Sequence, residues 1–174
     1  MSILTILKNR LAKGIVDIDL AGEIKEANIL GKELRSVIDH SFKGSFNIRQ
    51  VDTGSCGACL SEIIAATNPI YDLQRFGVNI VASPKHTDAL LVTGPVSWNM
   101  LLALKKTYAA TPGDKFVISI GDCALDGGIF KDSYYTLGGV DKVLKVDLHI
   151  PGCPPTPLVI IRYLLAFLST SSNK

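Results

Sequence analysis

Short apolar runs alternate with longer mixed segments along most of the chain after residue 45. Five runs have the length and β-branched content typical of strands: 46–51, 78–82, 89–92, 115–120 and, more briefly, 145–150. Three segments are predicted to be helices: 59–67, 97–110 and a last one from about 154–157 to 168. Strands that alternate with helices indicate a mostly parallel sheet covered on both faces. We therefore expect an α/β fold, a flavodoxin-like three-layer sandwich.

The first 45 residues follow a different pattern. Apolar side chains recur at helical spacing only near the start, at Ile3, Leu4, Ile6, Leu7 and Leu11. Residues 20–40 have no clean period, so we expect an N-terminal extended or helical arm with little core of its own. The predicted organisation has three parts: the arm at 1–45, the α/β domain at 46–168 and a flexible tail at 169–174.

Composition narrows the class of protein. The chain has 174 residues, of which 47% are hydrophobic and 20% charged, which is typical of a packed globular domain. A net charge of +2 is too small to indicate a nucleic-acid partner. No secretory signal is visible, and no apolar run reaches the roughly 18 residues of a membrane span. These observations predict a cytoplasmic location.

All four cysteines of the chain, Cys56, Cys59, Cys123 and Cys153, lie in glycine- or proline-rich loops just after predicted strands or strand-like runs. The carboxyl ends of parallel strands meet at one edge of a sheet, where ligands of such folds bind. We therefore expect the four sulfurs to lie close together. Thiolates are soft ligands, and four of them suit a four-iron cluster, which would make the protein an electron carrier.

Three other interpretations of the cysteines remain open. A structural zinc site is one, although such sites usually present two close pairs of ligands, and here one pair is joined by two single residues. A redox dithiol at Cys56 and Cys59 would leave the loops of Cys123 and Cys153 unexplained. Free buried cysteines with no shared role would leave all four loop settings unexplained.

The stretch 51–59, Val-Asp-Thr-Gly-Ser-Cys-Gly-Ala-Cys, resembles the proximal-cluster loop of [NiFe]-hydrogenase small subunits. Four further stretches are similar to the same subunit: 68–77, 82–95, 121–128 and 146–157. The resemblance is to the family shared by the 20 kDa subunit of respiratory complex I and the small subunit of membrane-bound (group 4) [NiFe]-hydrogenases. Complex I subunits have adjacent cysteines in the first loop. Here Gly57 and Ala58 separate them, as in the hydrogenases, which favours a hydrogenase.

This resemblance implies one [4Fe–4S] cluster held by Cys56, Cys59, Cys123 and Cys153. The cluster would pass electrons between a ferredoxin-like subunit with two clusters and a large subunit with the Ni–Fe centre, where protons and H₂ interconvert. Integral membrane subunits would complete the complex. The chain would then be peripheral on the cytoplasmic side, with its arm touching partner or membrane subunits. The alternative is a complex I-like subunit with the same cluster, which reduces quinone or another acceptor without Ni–Fe.

Two further side chains are candidates for proton chemistry. Glu62 lies three residues after Cys59, on the same face of the predicted helix, and could relay protons to the large subunit. The alternative is an acidic residue favoured by the dipole of the first helical turn. His86 is expected at the cysteine-bearing edge of the sheet, where it could couple to protons, although a surface histidine is the more common finding.

Overall fold

The computed structural model describes residues 21–171. Ten helices and strands follow one another in this part of the chain: α1 (Ala21–Ser41), β1 (Phe46–Asp52), α2 (Ala58–Ala65), β2 (Val78–Ile80), β3 (Ala89–Thr93), α3 (Trp98–Ala110), β4 (Phe116–Ile120), α4 (Asp122–Asp126), β5 (Leu148–Ile150) and α5 (Pro157–Ser171). Short 3₁₀ turns lie between them. The five predicted strands are all present, and α1 and α4 are helices that the apolar pattern did not predict.

The five strands form one parallel sheet in the order β2-β1-β3-β4-β5. This is the strand order of flavodoxin-like folds, in which β1 and β3 flank the point where the winding direction reverses. The α/β prediction is therefore confirmed. All five carboxyl ends lie at the same edge of the sheet, because every neighbouring pair is parallel.

Helices cover both faces of the sheet, and alternate residues of each strand point to opposite faces. On one face, Leu91 and Ile118 pack with buried side chains of α1, α2 and α5, among them Leu34, Ile63 and Leu164. On the other face a second core joins strand residues to α3 and the 140–146 segment: Leu90, Val92, Val117, Leu104 and Val140. Because β3 is buried on both faces, it reads as a continuous apolar run.

Two aspartates define where short strands begin. The carboxylate of Asp147, just before β5, accepts the backbone N–H of Val117 at 2.9 Å. Asp88, just before β3, accepts the N–H of Asn47 at 2.7 Å in the same way. The Asp147 carboxylate thus pairs with the backbone N–H of Val117, which the backbone of a longer β5 would have paired with. This explains why β5 begins at Leu148 and not at the predicted residue 145.

Helix α1 belongs to the core of the domain, unlike the arm with little core that the sequence led us to expect. It packs along α5 and buries one narrow face, formed by Ala27, Gly31, Leu34 and Ile38. Only four of its 21 residues are buried, which is why no clean apolar period is visible in the sequence. Residues 1–20, including the predicted apolar repeat at the start, lie outside the described residues.

Polar contacts fix α1 against the rest of the domain. Glu26 pairs with Arg162 of α5. Arg75 donates to the side-chain oxygen of Asn28 at 2.9 Å. At the opposite end of the chain, α5 continues to Ser171, three residues beyond the predicted end at Leu168. Among residues 21–171, no helix has the length and apolar character needed to cross a membrane.

We predict that Gly31→Ala destabilises the fold. A Cβ at Gly31 would lie 2.1 Å from the ring carbon Cε2 of Phe76, so the helix and the ring would have to separate. Overpacking of this kind costs about 1–3 kcal/mol. Urea unfolding of the full chain, followed by circular dichroism, measures the change.

Gly22→Ala is the matched control, because a Cβ at Gly22 on the same helix has no neighbour within 4 Å. Alanine is the better helix former, so this variant should be as stable as the parent or slightly more stable. Equal stability of the two variants would show that α1 does not pack against Phe76.

Candidate metal centre

The structure brings the loops of all four cysteines to the carboxyl edge of the sheet. Cys56 lies in the loop after β1, and Cys59 lies in the first turn of α2. Cys123 lies in α4, directly after β4, and Cys153 follows β5 by three residues. Cys59 is buried, Cys123 is half-buried, and Cys56 and Cys153 are exposed. The four thiols thus line an edge that opens to the protein surface.

A fixed turn holds the loop that contains Cys56. The carboxylate of Asp52 accepts the backbone N–H groups of Gly54 and Ser55 at 2.8 and 2.9 Å and the Ser55 hydroxyl at 2.6 Å. Burial would raise the pKa of Asp52, but these hydrogen bonds outweigh it and lower the pKa below its usual value. Asp52 therefore stays ionised and keeps the chain folded back towards α2.

The loops after β4 and β5 are tied to each other. The backbone N–H of Gly121 donates to the carbonyl of Ile150 at 2.8 Å, which continues the sheet ladder by one step. Asp122 then donates its N–H to the carbonyl of Gly152 at 3.0 Å, and its carboxylate accepts the N–H of Gly152 at 2.9 Å. These contacts set the position of Cys123 relative to Cys153.

Glycines make room for two of the sulfurs. A Cβ at Gly121 would lie 2.6 Å from the Sγ of Cys59, and one at Gly128 would lie 2.9 Å from the Sγ of Cys123. Both glycines also have positive φ angles, +86° and +51°. The β4 loop thus approaches Cys59 more closely than any residue with a side chain would allow.

The thiols affect one another electrostatically. Burial raises the pKa of Cys59 to about 11, and Cys56, Cys123, Cys153 and Asp122 raise it in the same direction. Burial also raises the pKa of Cys123, followed by the charges of Cys153 and Cys56, while a hydrogen bond from the backbone N–H of Ile129 opposes the shift. Four thiolates at this edge therefore need a cation to neutralise them.

The donor set fits an iron–sulfur cluster. Thiolates are soft ligands, and four of them suit such a cluster. In a four-iron cubane each thiolate binds a different iron, so the sulfurs surround a larger body. The four cysteines are the residues that would hold it.

Glu62, the candidate proton relay, is half-buried on α2, one turn after Cys59. The hydroxyl of Tyr71 donates to the carboxylate of Glu23 at 3.2 Å. Burial raises the pKa of Tyr71, and the hydrogen bond to Glu23 and the charges of Glu23 and Glu62 raise it further. The charge of Glu62 therefore acts on a phenol that is bonded to a second carboxylate, and the sequence pattern did not predict this arrangement.

The two histidines near the sheet ends occupy different settings. His86 lies three residues before β3 begins, which places it near the amino ends of the strands. The expectation that it lies at the cysteine edge is wrong, because the chain returns across the sheet before β3. His149 on β5 is 2.9 Å from the Ser119 hydroxyl through Nδ1, and its buried Nε2 has no hydrogen-bond partner among the described residues. Burial lowers the pKa of His149.

Comparisons with known proteins agree with the fold and indicate a subunit of a redox enzyme. Residues 56–167 match the family described as NADH ubiquinone oxidoreductase, 20 Kd subunit. The chain belongs to this family, which the complex I subunit shares with hydrogenase small subunits. Members generally bind a [4Fe–4S] cluster.

Similar proteins are subunits of oxidoreductases. The chain is 49% identical over 111 residues to a probable membrane-bound hydrogenase subunit, mbhJ, of Pyrococcus furiosus, covering 64% of this chain and 66% of that one. It is 45% identical over 115 residues to formate hydrogenlyase subunit 7 of Escherichia coli, covering 66% and 45%. A chain of the archaeal membrane-bound sulfane sulfur reductase superposes with a TM-score of 0.67 at 29% identity, covering 82% and 77%.

We predict that Gly121→Ala lowers the iron and acid-labile sulfide content of the anaerobically purified protein. The new methyl group would displace the Cys59 sulfur, which lies 2.6 Å from its position. Overpacking and the positive φ should also lower the free energy of unfolding by about 1–3 kcal/mol.

Gly113→Ala serves as the control, since Gly113 also has a positive φ, +59°, but no atom within 4 Å of a new Cβ. It should lose about 1–2 kcal/mol through its backbone alone and keep its full iron content. Equal iron content in the two variants would contradict the close approach of Gly121 to Cys59.

Proposed function

We propose that this chain is the electron-transfer small subunit of a membrane-bound [NiFe]-hydrogenase complex. Cys56, Cys59, Cys123 and Cys153 hold one [4Fe–4S] cluster, which accepts and releases single electrons. The cluster passes electrons between a ferredoxin-like two-cluster subunit and the Ni–Fe large subunit, where protons and H₂ interconvert. Integral membrane subunits anchor the complex, and the chain lies on its cytoplasmic side.

One observation carries the choice of a hydrogenase. Gly57 and Ala58 separate the two cysteines of the first loop, and the φ of Gly57 is +86°. The turn at Gly57 leaves Cys56 outside the helix and Cys59 inside its first turn. Cysteines at adjacent positions would need a different loop. The named hydrogenase relatives, aligned over parts of their own length, support the same choice.

The residues of the chain have separate tasks in this function. Asp52 and Asp122 fix the loops that present the thiols. The backbone N–H of Ile129 lowers the pKa of the Cys123 thiol, and N–H groups that favour a ligand thiolate in this way raise the potential of such clusters. The exposed Cys56 and Cys153 mark the side where a partner subunit can approach the cluster.

The second candidate is a complex I-like subunit that has the same cluster and passes electrons to quinone or another acceptor. The description of the matching family names NADH ubiquinone oxidoreductase, which supports this second candidate. Nickel analysis of the native complex separates the two. A hydrogenase should contain nickel in proportion to this chain, and a complex I-like assembly should contain none.

Glu62 is the proposed proton relay towards the large subunit. Leu60 directly follows Cys59, and Glu62 is the first acidic residue after it on α2. Its charge acts on Tyr71, whose hydroxyl donates to Glu23, and this supports a path for protons between the two carboxylates.

The cluster assignment predicts that replacing any one of Cys56, Cys59, Cys123 or Cys153 by Ala abolishes the EPR signal of the reduced [4Fe–4S] cluster. Each thiolate binds its own iron, so the loss of one opens the cubane. Ser36→Ala, on the exposed side of α1, should leave the signal unchanged. An intact signal in any of the four cysteine variants would refute the assignment of that ligand.

The proton relay predicts that Glu62→Gln lowers the turnover of the complex by about 100-fold, which is within the usual contribution of a proton-transferring group. The cluster signal and the subunit composition should not change. Glu33→Gln, at an exposed position on α1, is the control and should keep full turnover. Full turnover of Glu62→Gln would end the relay proposal and leave the cluster assignment intact.

A further inference from the structure

A buried polar pair joins the two strands that precede Cys123 and Cys153. Ser119 on β4 and His149 on β5 are partners in the ladder, and the Ser119 hydroxyl lies 2.9 Å from the Nδ1 of His149. Ser119 is fully buried, and the Nε2 atom of His149 is buried as well. One residue of each strand separates the pair from the loops that contain the cysteines. The pair therefore lies directly behind the cysteine edge.

The stability of the sheet does not by itself explain this pair. Ser119 is the only polar residue within β4, whose other residues are apolar. The Nε2 atom of His149 has no hydrogen-bond partner in the described part of the chain, and a buried polar atom without a partner costs free energy. Two apolar side chains at these positions would avoid that cost. Buried polar groups are known to fix the register of packed elements, and this suggests a different role.

Apolar side chains do little to define the register of β5 against β4. The ladder contains three partner pairs, and β5 is at the edge of the sheet. A slip of one residue would turn the side chains of β5 to the wrong faces. A slip of two residues would return every side chain to its own face, so the apolar pattern does not oppose it. It would move the loop of Cys153 by about 6.6 Å along β4, two residues at 3.3 Å each.

The polar pair distinguishes the observed register from a slip of two residues. After such a slip, Asp147 or Pro151 would lie opposite Ser119. Pro151 offers no polar side-chain atom. Asp147 would bring an ionised carboxylate into the interior, away from the N–H of Val117 that it accepts in the structure. In either case the buried Ser119 hydroxyl loses the partner that it has in His149, and an unsatisfied buried hydroxyl is costly.

Two other side-chain contacts join the same segments, but both come from exposed residues. The carboxylate of Asp147 accepts from β4, and that of Asp122 accepts from the loop after β5. Water can replace hydrogen bonds of exposed groups, whereas it does not reach the Ser119 hydroxyl. Burial also lowers the pKa of His149, so its ring is uncharged at neutral pH and can remain in the interior. The buried pair is therefore the stricter constraint on the register.

We propose that Ser119 and His149 are positioning residues, which fix the register of β5 against β4. The register in turn sets the spacing of Cys123 and Cys153 around the cluster. This inference rests on the proposed function, because the spacing matters only if both thiols bind one cluster. Two apolar side chains in place of the pair would hold the strands together but would accept either register.

The test compares Ser119→Ala, His149→Leu and the double variant with the parent, each as the anaerobically purified full chain. Loss of iron–sulfur absorbance in the presence of an iron chelator measures how firmly the cluster is held. Each single variant should lose the cluster at least about tenfold faster, the usual effect of removing a residue that orients metal ligands. Hydrogen exchange of the Gly121 and Asp122 amides, which donate to the β5 segment, should become faster as well.

The double variant separates positioning from stability. Replacement of both partners by apolar groups leaves no unpaired atom, so the free energy of unfolding in urea should return at least to the parental value. Cluster loss and the exchange of the two amides should nevertheless remain fast, because nothing then opposes the slip. A purely stabilising role predicts instead that all three measurements recover together.

Two further variants serve as controls. His149→Asn keeps a polar atom on the γ carbon, within reach of Ser119, and should hold the cluster as firmly as the parent does. Asn79→Ala removes a side-chain contact of 3.3 Å to Asn47 from β2, the other three-residue strand at an edge of the sheet. None of the four cysteines lies in the loop after β2, so this variant should lose the cluster at the parental rate.

Several outcomes would overturn the proposal. Parental rates of cluster loss in both single variants would do so, as would recovery of the parental rate in the double variant. Equal acceleration by Asn79→Ala, or by His149→Asn and His149→Leu alike, would also contradict it. Absence of a cluster from the parent chain would instead refute the proposed function, while the exchange of the Gly121 and Asp122 amides would still report on the register.

Discussion

The pairing of β4 with β5 determines where two of the four thiols lie. Ile120 and Ile150 are partners in this ladder, and the contacts of Gly121 and Asp122 continue it into the loops of Cys123 and Cys153. A slip of one residue would turn the buried Ile150 towards the other face and separate the two loops. The candidate metal centre therefore depends on the same register that buries the core, because both follow from one parallel ladder.

The sequence predicted structure well where a residue's role depends on its neighbours in the chain. It predicted poorly where that role depends on residues that are distant in sequence. The five strands could be predicted because β-branched apolar runs between turns are a local signal. Helix α1 could not be predicted, because it buries only one narrow face against α5 and the ring of Phe76. The need for glycine at position 31 becomes clear only from the closeness of that ring. The late start of β5 depends on the Asp147 carboxylate, which accepts a hydrogen bond from the backbone N–H of Val117 on the neighbouring strand.

The candidate site shows the same division. The four cysteines stand out by their loops, and strand order brings those loops to one edge. The roles of Gly121 and Asp122 were not foreseen, although a glycine directly after a strand and before a cysteine is a usable signal of close backbone approach. His86 was misplaced because the sequence does not show that the chain crosses back before β3. Ser119 and His149 lie 30 residues apart in the chain, so the pairing of β4 with β5 was needed to find their contact.

Burial and the charges of the other three thiols raise the pKa of Cys59 to about 11. We propose that one four-iron cluster bound to all four sulfurs overcomes this cost. The most direct measurement is a structure of the anaerobically purified complex with anomalous scattering recorded at the iron edge. We expect a single compact iron peak within bonding distance of the Sγ atoms of Cys56, Cys59, Cys123 and Cys153. A lone ion at this edge, or a cluster that leaves any of the four sulfurs unbound, would contradict it.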